Sequence, residues 1–433
     1  MADLPLTRFQ AAIIAVMILL NALDGYDALA IAFAAPGIAR NWSATPGELG
    51  IVISVGLFGT AFGSLCVAPL GDRIGRRPMI LSSLAAMTVG MGVTAVAPGQ
   101  IVLSLGRLLT GVGVGAMVPS ISALAAEYSN HRLRNLVVML VAIGFPVGGL
   151  LCGSTSSLLL HYFDWRSVFI AGAVITGLTV LAPLLLVPES VEFLAMVRSS
   201  SSLAKINAIR TRLQQPPLIA LPPLPERLSR RNVFDIFLPA LLLTTLTLTL
   251  AYGLHSATVY YALNWVPKLV VDLSFSASQG ATVSAWTSAG GIVGALIVAA
   301  LTARVDVGRL TALLLFGTAA FLMVFAHTAA NLHQLIATSA LLGACLYGGQ
   351  ASLYALMTRA FPTRVRATGV GFVTGVGRLG GILSPSVSGF LMGAGLQNSQ
   401  VSTVMALGSL SGAVILVGAG ALGWSGMRAS RQD

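Results

Sequence analysis

Gly71-Asp72-Arg73-Ile74-Gly75-Arg76-Arg77-Pro78 puts four charges into eight residues, between the apolar runs 47–71 and 78–97. Each run reaches the roughly 20 residues that a helix needs to cross a bilayer. The pattern continues in both directions. Apolar runs fall at 9–36, 47–71, 78–97, 100–126, 135–160 and 166–187, and again at 234–266, 276–302, 309–327, 332–358, 367–391 and 400–425. Between the two sets, 188–232 is the only long hydrophilic stretch. It carries Pro216, Pro217, Pro222, Pro223 and Pro225, which predicts a linker with one short amphipathic helix around 191–213.

Composition leads to the same conclusion. Of 433 residues, 56% are apolar and 9% charged, against roughly 25% charged in an ordinary soluble domain. A soluble exterior must be solvated, so the bilayer is the solvent that fits, and closed backbone hydrogen bonding makes the spans helices. With both termini placed in the cytoplasm, 20 of the 25 Lys and Arg fall inside, three outside (Arg40, Arg166, Lys268) and two within spans (Arg107, Arg378). The positive-inside rule therefore orients the chain. It also explains the net charge of +11 without a nucleic-acid partner. Cys66, Cys152 and Cys345 are widely separated in apolar runs, which supports neither a disulfide framework nor a cysteine metal site. Ala32-Phe33-Ala34 mimics a signal-cleavage site, but two aspartates in the preceding run are wrong for a signal peptide, so the first span is expected to be retained.

The two halves superimpose in sequence at an offset of 232. Gly111 matches Gly343, the loop from Glu127 to Arg134 matches that from Arg359 to Arg366, and Gly148-Gly149 matches Gly380-Gly381. Duplicated six-helix halves are an established transporter plan. The expected domains are thus a six-helix half at 1–187, a cytoplasmic linker at 188–232 and a second half at 233–433.

At this point the motifs become specific. The 71–78 octapeptide resembles the loop 2–3 signature of the major facilitator superfamily, with Ala68 where that signature usually begins with Gly. Arg304-Val-Asp306-Val-Gly308-Arg309 is similar to a degraded second copy with its acid displaced. Arg107-Leu-Leu-Thr-Gly111-Val-Gly113-Val-Gly115 resembles the second motif of the superfamily. Asp24-Gly25-Tyr26-Asp27 with Ala35-Pro36, Asn264-Trp265-Val-Pro267, Arg364-Val-Arg366-Ala-Thr-Gly369 and Gly377-Arg378-Leu-Gly380 resemble the aromatic acid:proton symporter family within it. The resemblance implies an all-α membrane protein of twelve transmembrane helices in two pseudo-symmetric halves. It also implies proton-coupled import of a small aromatic carboxylate by alternating access, without a cofactor, with a monomer as working unit in the inner (plasma) membrane.

Charges inside a span are costly and therefore informative. Asp24 and Asp27 share one face of the first span; two carboxylates in a poorly hydrated site favour holding a proton. Either they couple transport to protons, or they line a water-exposed wall. Counting about 1.5 Å per residue from the cytoplasmic ends puts Arg107 level with Asp27, as a switchable partner or as a static tie between spans 1 and 4. Arg378 lies near the middle of the eleventh span, flanked by Gly377, Gly380 and Gly381, which are expected to leave room for a ligand. Its guanidinium fork suits a substrate carboxylate; the alternative is a pair with an aspartate of the first span. The seventh span carries Tyr252, His255, Tyr260, Tyr261 and Asn264, and the tenth carries Tyr347, Gln350 and Tyr354 at i, i+3, i+7. Phenol rings suit a planar substrate, though tyrosines also pack between helices. Tyr252, His255, Tyr260, Asn264, Tyr347, Gln350 and Tyr354 are the candidate substrate contacts beside Arg378; His255 reads as structural, with a second proton carrier as the alternative, and Trp265 as an interfacial belt residue.

Asp72, Arg73, Arg76 and Arg77, together with Glu127, Arg132, Arg134, Arg359, Arg364 and Arg366, form a charged cytoplasmic layer. They are expected to latch the halves during gating, or to serve only as topology determinants. Gly144-Phe-Pro146-Val-Gly148-Gly149 departs from the antiporter signature, in which Gly directly precedes Pro, and so favours import. An exporter of amphipathic compounds and a nontransporting aromatic-acid receptor are the alternatives. The five histidines form no metal-ligand pair at helical spacing, which argues against an enzyme.

Overall fold

A computed structural model of the chain describes residues 6–130, 133–221, 233–302, 304–362 and 365–421. Pro222, Pro223 and Pro225 of the linker and the loop residues Arg132 and Arg364 lie outside the described residues. The described residues contain helices and no strand. The first six long helices are α1 (Arg8–Trp42), α2 (Pro46–Ile74), α3 (Arg76–Ala95), α4 (Gln100–Glu127), α5 (Arg134–Tyr162) and α6 (Arg166–Leu186). Two short ones follow, α7 (Val191–Val197) and α8 (Ser202–Arg212). The second set is α9 (Pro239–Asp272), α10 (Ala277–Leu301), α11 (Val307–His327), α12 (Leu332–Ala360), α13 (Arg366–Gly393) and α14 (Asn398–Ala421).

Eleven of the long helices are apolar and long enough to cross a bilayer. The remaining one, α13, has the length at 28 residues but is less apolar, because it carries Arg378, several glycines and Ser384-Pro385-Ser386. Large apolar side chains such as Leu105, Leu158, Leu185 and Leu313 stand exposed along the helices, the opposite of a water-soluble surface. In α2 the helix loosens into a π turn at Gly63–Val67 and then tightens into a 3-10 turn at Ala68–Leu70, where Pro69 has no N–H to donate.

The linker differs from expectation. It holds two helices rather than one, broken at Arg198, which adopts the left-handed conformation (φ 50°) and ends α7. Nor is α8 a surface attachment. Its Ile206 and Ile209, with Leu213 beyond it, are buried in one cluster with Ile13, Ile14, Leu124 and Tyr128. The Arg212 guanidinium lies 5.5 Å from the centre of the Phe9 ring.

The chain divides into two compact units. The first comprises Met1–Ala28, Gly56–Gly148 and Phe169–Ser229, and the second Leu29–Val55, Gly149–Val168 and Arg230–Asp433. The core of the first is built from Met17, Leu20, Ile80, Leu84, Met87 and Ile121; that of the second includes Leu248, Leu315, Leu353 and Phe361.

Glycines set the closest helix contacts in each unit, and they do so in duplicate. In the first unit, methyl groups at Gly59 and Gly63 of α2 would collide with the carbonyls of Leu108 and Val112 of α4. In the second, methyls at Gly290 and Gly294 of α10 would collide with those of Ala340 and Ala344 of α12. Likewise Gly148 of α5 meets the Ala22 carbonyl of α1, and Gly380 of α13 meets the Gly253 carbonyl of α9. Corresponding positions are 231 or 232 residues apart. The register read from sequence is therefore a register of backbone contacts.

The second unit also gathers the end of α1, the start of α2 and the end of α5. Gly50 of α2 abuts the Pro385 carbonyl of α13, and Gly389 of α13 abuts the Pro46 carbonyl. Ser386 Oγ donates to Ser54 Oγ at 2.8 Å. Ser157 of α5 lies within hydrogen-bond distance of Ser278 (3.0 Å) and Thr282 (2.8 Å) at the start of α10. Trp265, expected at the membrane interface, is instead 1% exposed and packs near Gly389. Proximity to the end of a span does not determine which way a ring faces.

Candidate functional site

In the first unit, close packing draws α1 onto α5 at Gly25 and Gly148, and α4 brings Arg107 across to it. Arg107 Nη1 donates to Asp27 Oδ1 at 2.8 Å. Nη2 donates to the Asp27 backbone carbonyl at 3.0 Å, with Oδ2 at 3.4 Å. Both side chains are 4% exposed, and the Phe169 ring centre lies 5.9 Å from the guanidinium carbon. The level match counted from sequence is thus a direct ion pair. Arg107 Nε has no partner among the described residues. Asp24 is half-buried one turn earlier. Removing one member of such a pair strands the other charge, whereas protonating the carboxylate weakens the tie without removing an atom.

The second unit holds a polar cluster on α9, α12 and α13. Gln350 Nε2 donates to the Tyr252 hydroxyl at 2.9 Å, and that hydroxyl lies 3.3 Å from the Tyr354 hydroxyl. The Tyr252 and Tyr354 rings meet edge to face, with centroids 5.9 Å apart. Arg378 of α13 is half-buried. The room expected beside it is taken: Gly377 is covered by the Tyr252 ring, Gly381 by the Tyr260 ring and Gly380 by the Gly253 backbone. These glycines admit α9 rather than hold space open.

The other expected residues lie elsewhere in this unit. His255 is fully buried, with Nδ1 2.8 Å from Ser409 Oγ of α14 and its ring against Gly349, a packing position. Asn264 donates back to the Tyr260 carbonyl of its own helix at 2.8 Å. The Tyr347 ring rests on Gly291 of α10.

The charged layer of the first unit centres on acids that the sequence reading passed over. Glu189 Oε1 accepts from the backbone N–H groups of Arg76 (2.9 Å), Arg77 (3.2 Å) and Ser190 (2.8 Å), which satisfies the start of α3. Gly75 beside it has φ 106°, and a side chain there would strike Glu189. Arg76 bridges Glu127 (2.8 Å) and Glu192 (3.3 Å). Arg77 donates to the Leu184 carbonyl at 2.6 Å. Tyr128 donates to the Glu189 carbonyl at 2.9 Å; burial, with Glu127 and Glu189 nearby, holds its phenol well above the usual range, so it remains a neutral donor. Asp72 and Arg73 are exposed, with no ion pair among the described residues. In the second unit Arg359 donates to the Thr302 carbonyl (2.8 Å) and Arg366 to the Phe361 carbonyl (3.3 Å), while Arg134 of the first unit is exposed. Asp306, the displaced acid of the degraded copy, accepts from the Arg309 N–H and caps α11. Glu189 and Glu192 were detectable as acids within four residues after Pro188, at the end of the sixth span.

Duplicated helices of spanning length, tied by glycine contacts and holding an ion pair within the spans, define a multi-pass membrane transporter. The profile described as Major Facilitator Superfamily matches residues 17–385, and the chain belongs to that family. It is 30% identical over 420 residues to the 4-hydroxybenzoate transporter PcaK of Pseudomonas aeruginosa, covering 95% of this chain and 93% of that one. It is 31% identical over 390 residues to the 3-(3-hydroxy-phenyl)propionate transporter of Escherichia coli, covering 90% and 88%. The crystal structure of a D-xylose-proton symporter shares the fold, with TM-score 0.75 at 14% identity over 94% of this chain and 97% of that one. The expected resemblance to the aromatic-acid branch of the superfamily is thus borne out.

Proposed function

We propose that this protein imports a small aromatic carboxylate together with protons by alternating access, with the duplicated halves 1–187 and 233–433 as its moving parts. The observation that carries the reading is the buried Arg107–Asp27 pair. A proton arriving at Asp27, or at Asp24 beside it, competes with the guanidinium and releases α1 from α4. Co-transported protons offset the cost of moving an anion against a negative interior, about 2.3 kcal/mol per charge per 100 mV. Arg378, beside the Tyr252 and Tyr260 rings, is the partner for the substrate carboxylate. The names of the relatives, transporters of hydroxybenzoate and hydroxyphenylpropionate, support this substrate class.

The ion pairs of Arg76 with Glu127 and Glu192 serve gating, together with Asp72, Arg73, Arg77 and Arg134 of the first unit and, in the second, Arg366. The excess of Lys and Arg in the loops supports cytoplasmic termini in an inner (plasma) membrane, with the monomer as working unit.

Reconstituted vesicles with an alkaline interior should accumulate labelled 4-hydroxybenzoate, and an uncoupler should abolish the accumulation. Binding without accumulation would make the protein a receptor, and accumulation only against the opposite gradient would make it an exporter.

A further inference from the structure

The start of α1 and the linker helix α8 gather bases without acids. Between Phe193 and Pro225 the linker carries Arg198, Lys205, Arg210 and Arg212 and no Asp or Glu, and α1 has neither before Asp24. Lys205 and Arg212, two turns apart, share the exposed face of α8. The Arg212 guanidinium covers the ring of Phe9, whose neighbour Arg8 is itself exposed. Arg8, Lys205 and Arg212 enter no ion pair among the described residues. Like charges brought together repel, so this surface favours a counter-charge.

The surface is held in place. Buried Ile206, Ile209 and Leu213 fasten α8 to Ile13 and Ile14 of α1. The Asn207 side chain pairs twice with the Leu218 backbone, accepting from its N–H at 2.7 Å and donating to its carbonyl at 3.0 Å. That lock leaves the next side chain, Ile219, 99% exposed. From Arg8, the first residue of α1, to Ile13 and Ile14 is roughly 8–9 Å at about 1.5 Å per residue. So α8 stands at the depth of the lipid headgroups.

We infer that Arg8, Lys205 and Arg212 bind the headgroup of an anionic phospholipid, with Ile219 against its acyl chain. A soluble anion would answer the bases but not the isoleucine, whereas a phospholipid answers both. With the apolar face of α8 occupied by the bundle, charge supplies the selectivity, each base contributing about fivefold in affinity.

The test is native mass spectrometry of the full-length, detergent-solubilised protein titrated with phosphatidylglycerol or phosphatidylcholine. The wild type should bind phosphatidylglycerol about tenfold or more tightly than phosphatidylcholine. Combining Arg8→Gln, Lys205→Gln and Arg212→Gln should cut that preference to within about twofold. Arg304→Gln with Arg309→Gln, which removes two exposed bases of the second unit, should keep it. Lys205→Gln alone, at an exposed position, should lose about fivefold and remains decisive should the triple variant not fold. No preference in the wild type, or a preference that survives in Lys205→Gln and in any folded triple variant, overturns the inference. An equal loss in the second-unit variant does so too, because the bases then act only as diffuse charge. Displacement of phosphatidylglycerol by excess inorganic phosphate also overturns it, since the site then takes a free anion. None of these outcomes touches the transport reading, which uptake tests separately.

Discussion

Arg107 holds Asp27 by its carboxylate and its backbone carbonyl together, a geometry that a lysine ammonium cannot copy. Replacing Arg107 with Gln leaves a buried carboxylate without its counter-ion, at a cost of about 3–5 kcal/mol. Arg107→Gln should therefore lower the thermal unfolding midpoint and abolish proton-driven uptake. Adding Asp27→Asn should restore much of the midpoint but none of the coupling. Normal accumulation by the single variant would remove the switch from the mechanism. Which of these residues meet was only partly legible in sequence. Asp27 and Arg107 were found because depth along a straight helix can be counted. The bond from Gln350 to Tyr252 joins helices about 98 positions apart and depends on helix rotation, which one weakly amphipathic span does not reveal. Trp265 failed for the same reason.

At the scale of the element, small residues decide where helices touch. Gly380 faces the Gly253 carbonyl across the α9–α13 contact, whereas a methyl at Gly371, on the same helix, meets nothing within 4 Å. Gly380→Leu should thus lower thermal stability by at least about 1–3 kcal/mol, and Gly371→Ala should leave it unchanged or slightly raised. Equal effects in unfolding scans would contradict the contact. Gly148 and Gly380 were legible as matched positions, but not as contacts with Ala22 and Gly253. The helix starts show a similar division of labour. Asp306 caps α11 from within its own loop, whereas the start of α3 takes Glu189 from the far side of the sixth span. A sequence window sees the first arrangement and misses the second.

For the molecule as a whole, composition and spacing gave the helical class, the spans and the duplication, because a bilayer constrains every residue of a span alike. The compact units were not legible. Four of their boundaries fall inside α1, α2, α5 and α6, at Ala28, Val55, Gly148 and Val168, where the apolar pattern runs on without a break. In the second unit the start of α2 is fastened to α13 through Ser54 and Ser386. If alternating access requires that fastening to part, Ser54→Cys combined with Ser386→Cys should form a disulfide and stop uptake until a reductant is added. Undiminished uptake with the disulfide in place would show that this contact never opens. The fastening is made of hydroxyls and bare backbone, with Ser157, Ser278 and Thr282 completing it. It carries no formal charge, so neither added salt nor a membrane voltage has a handle on it, whereas salt screens the Arg76–Glu127 bridge.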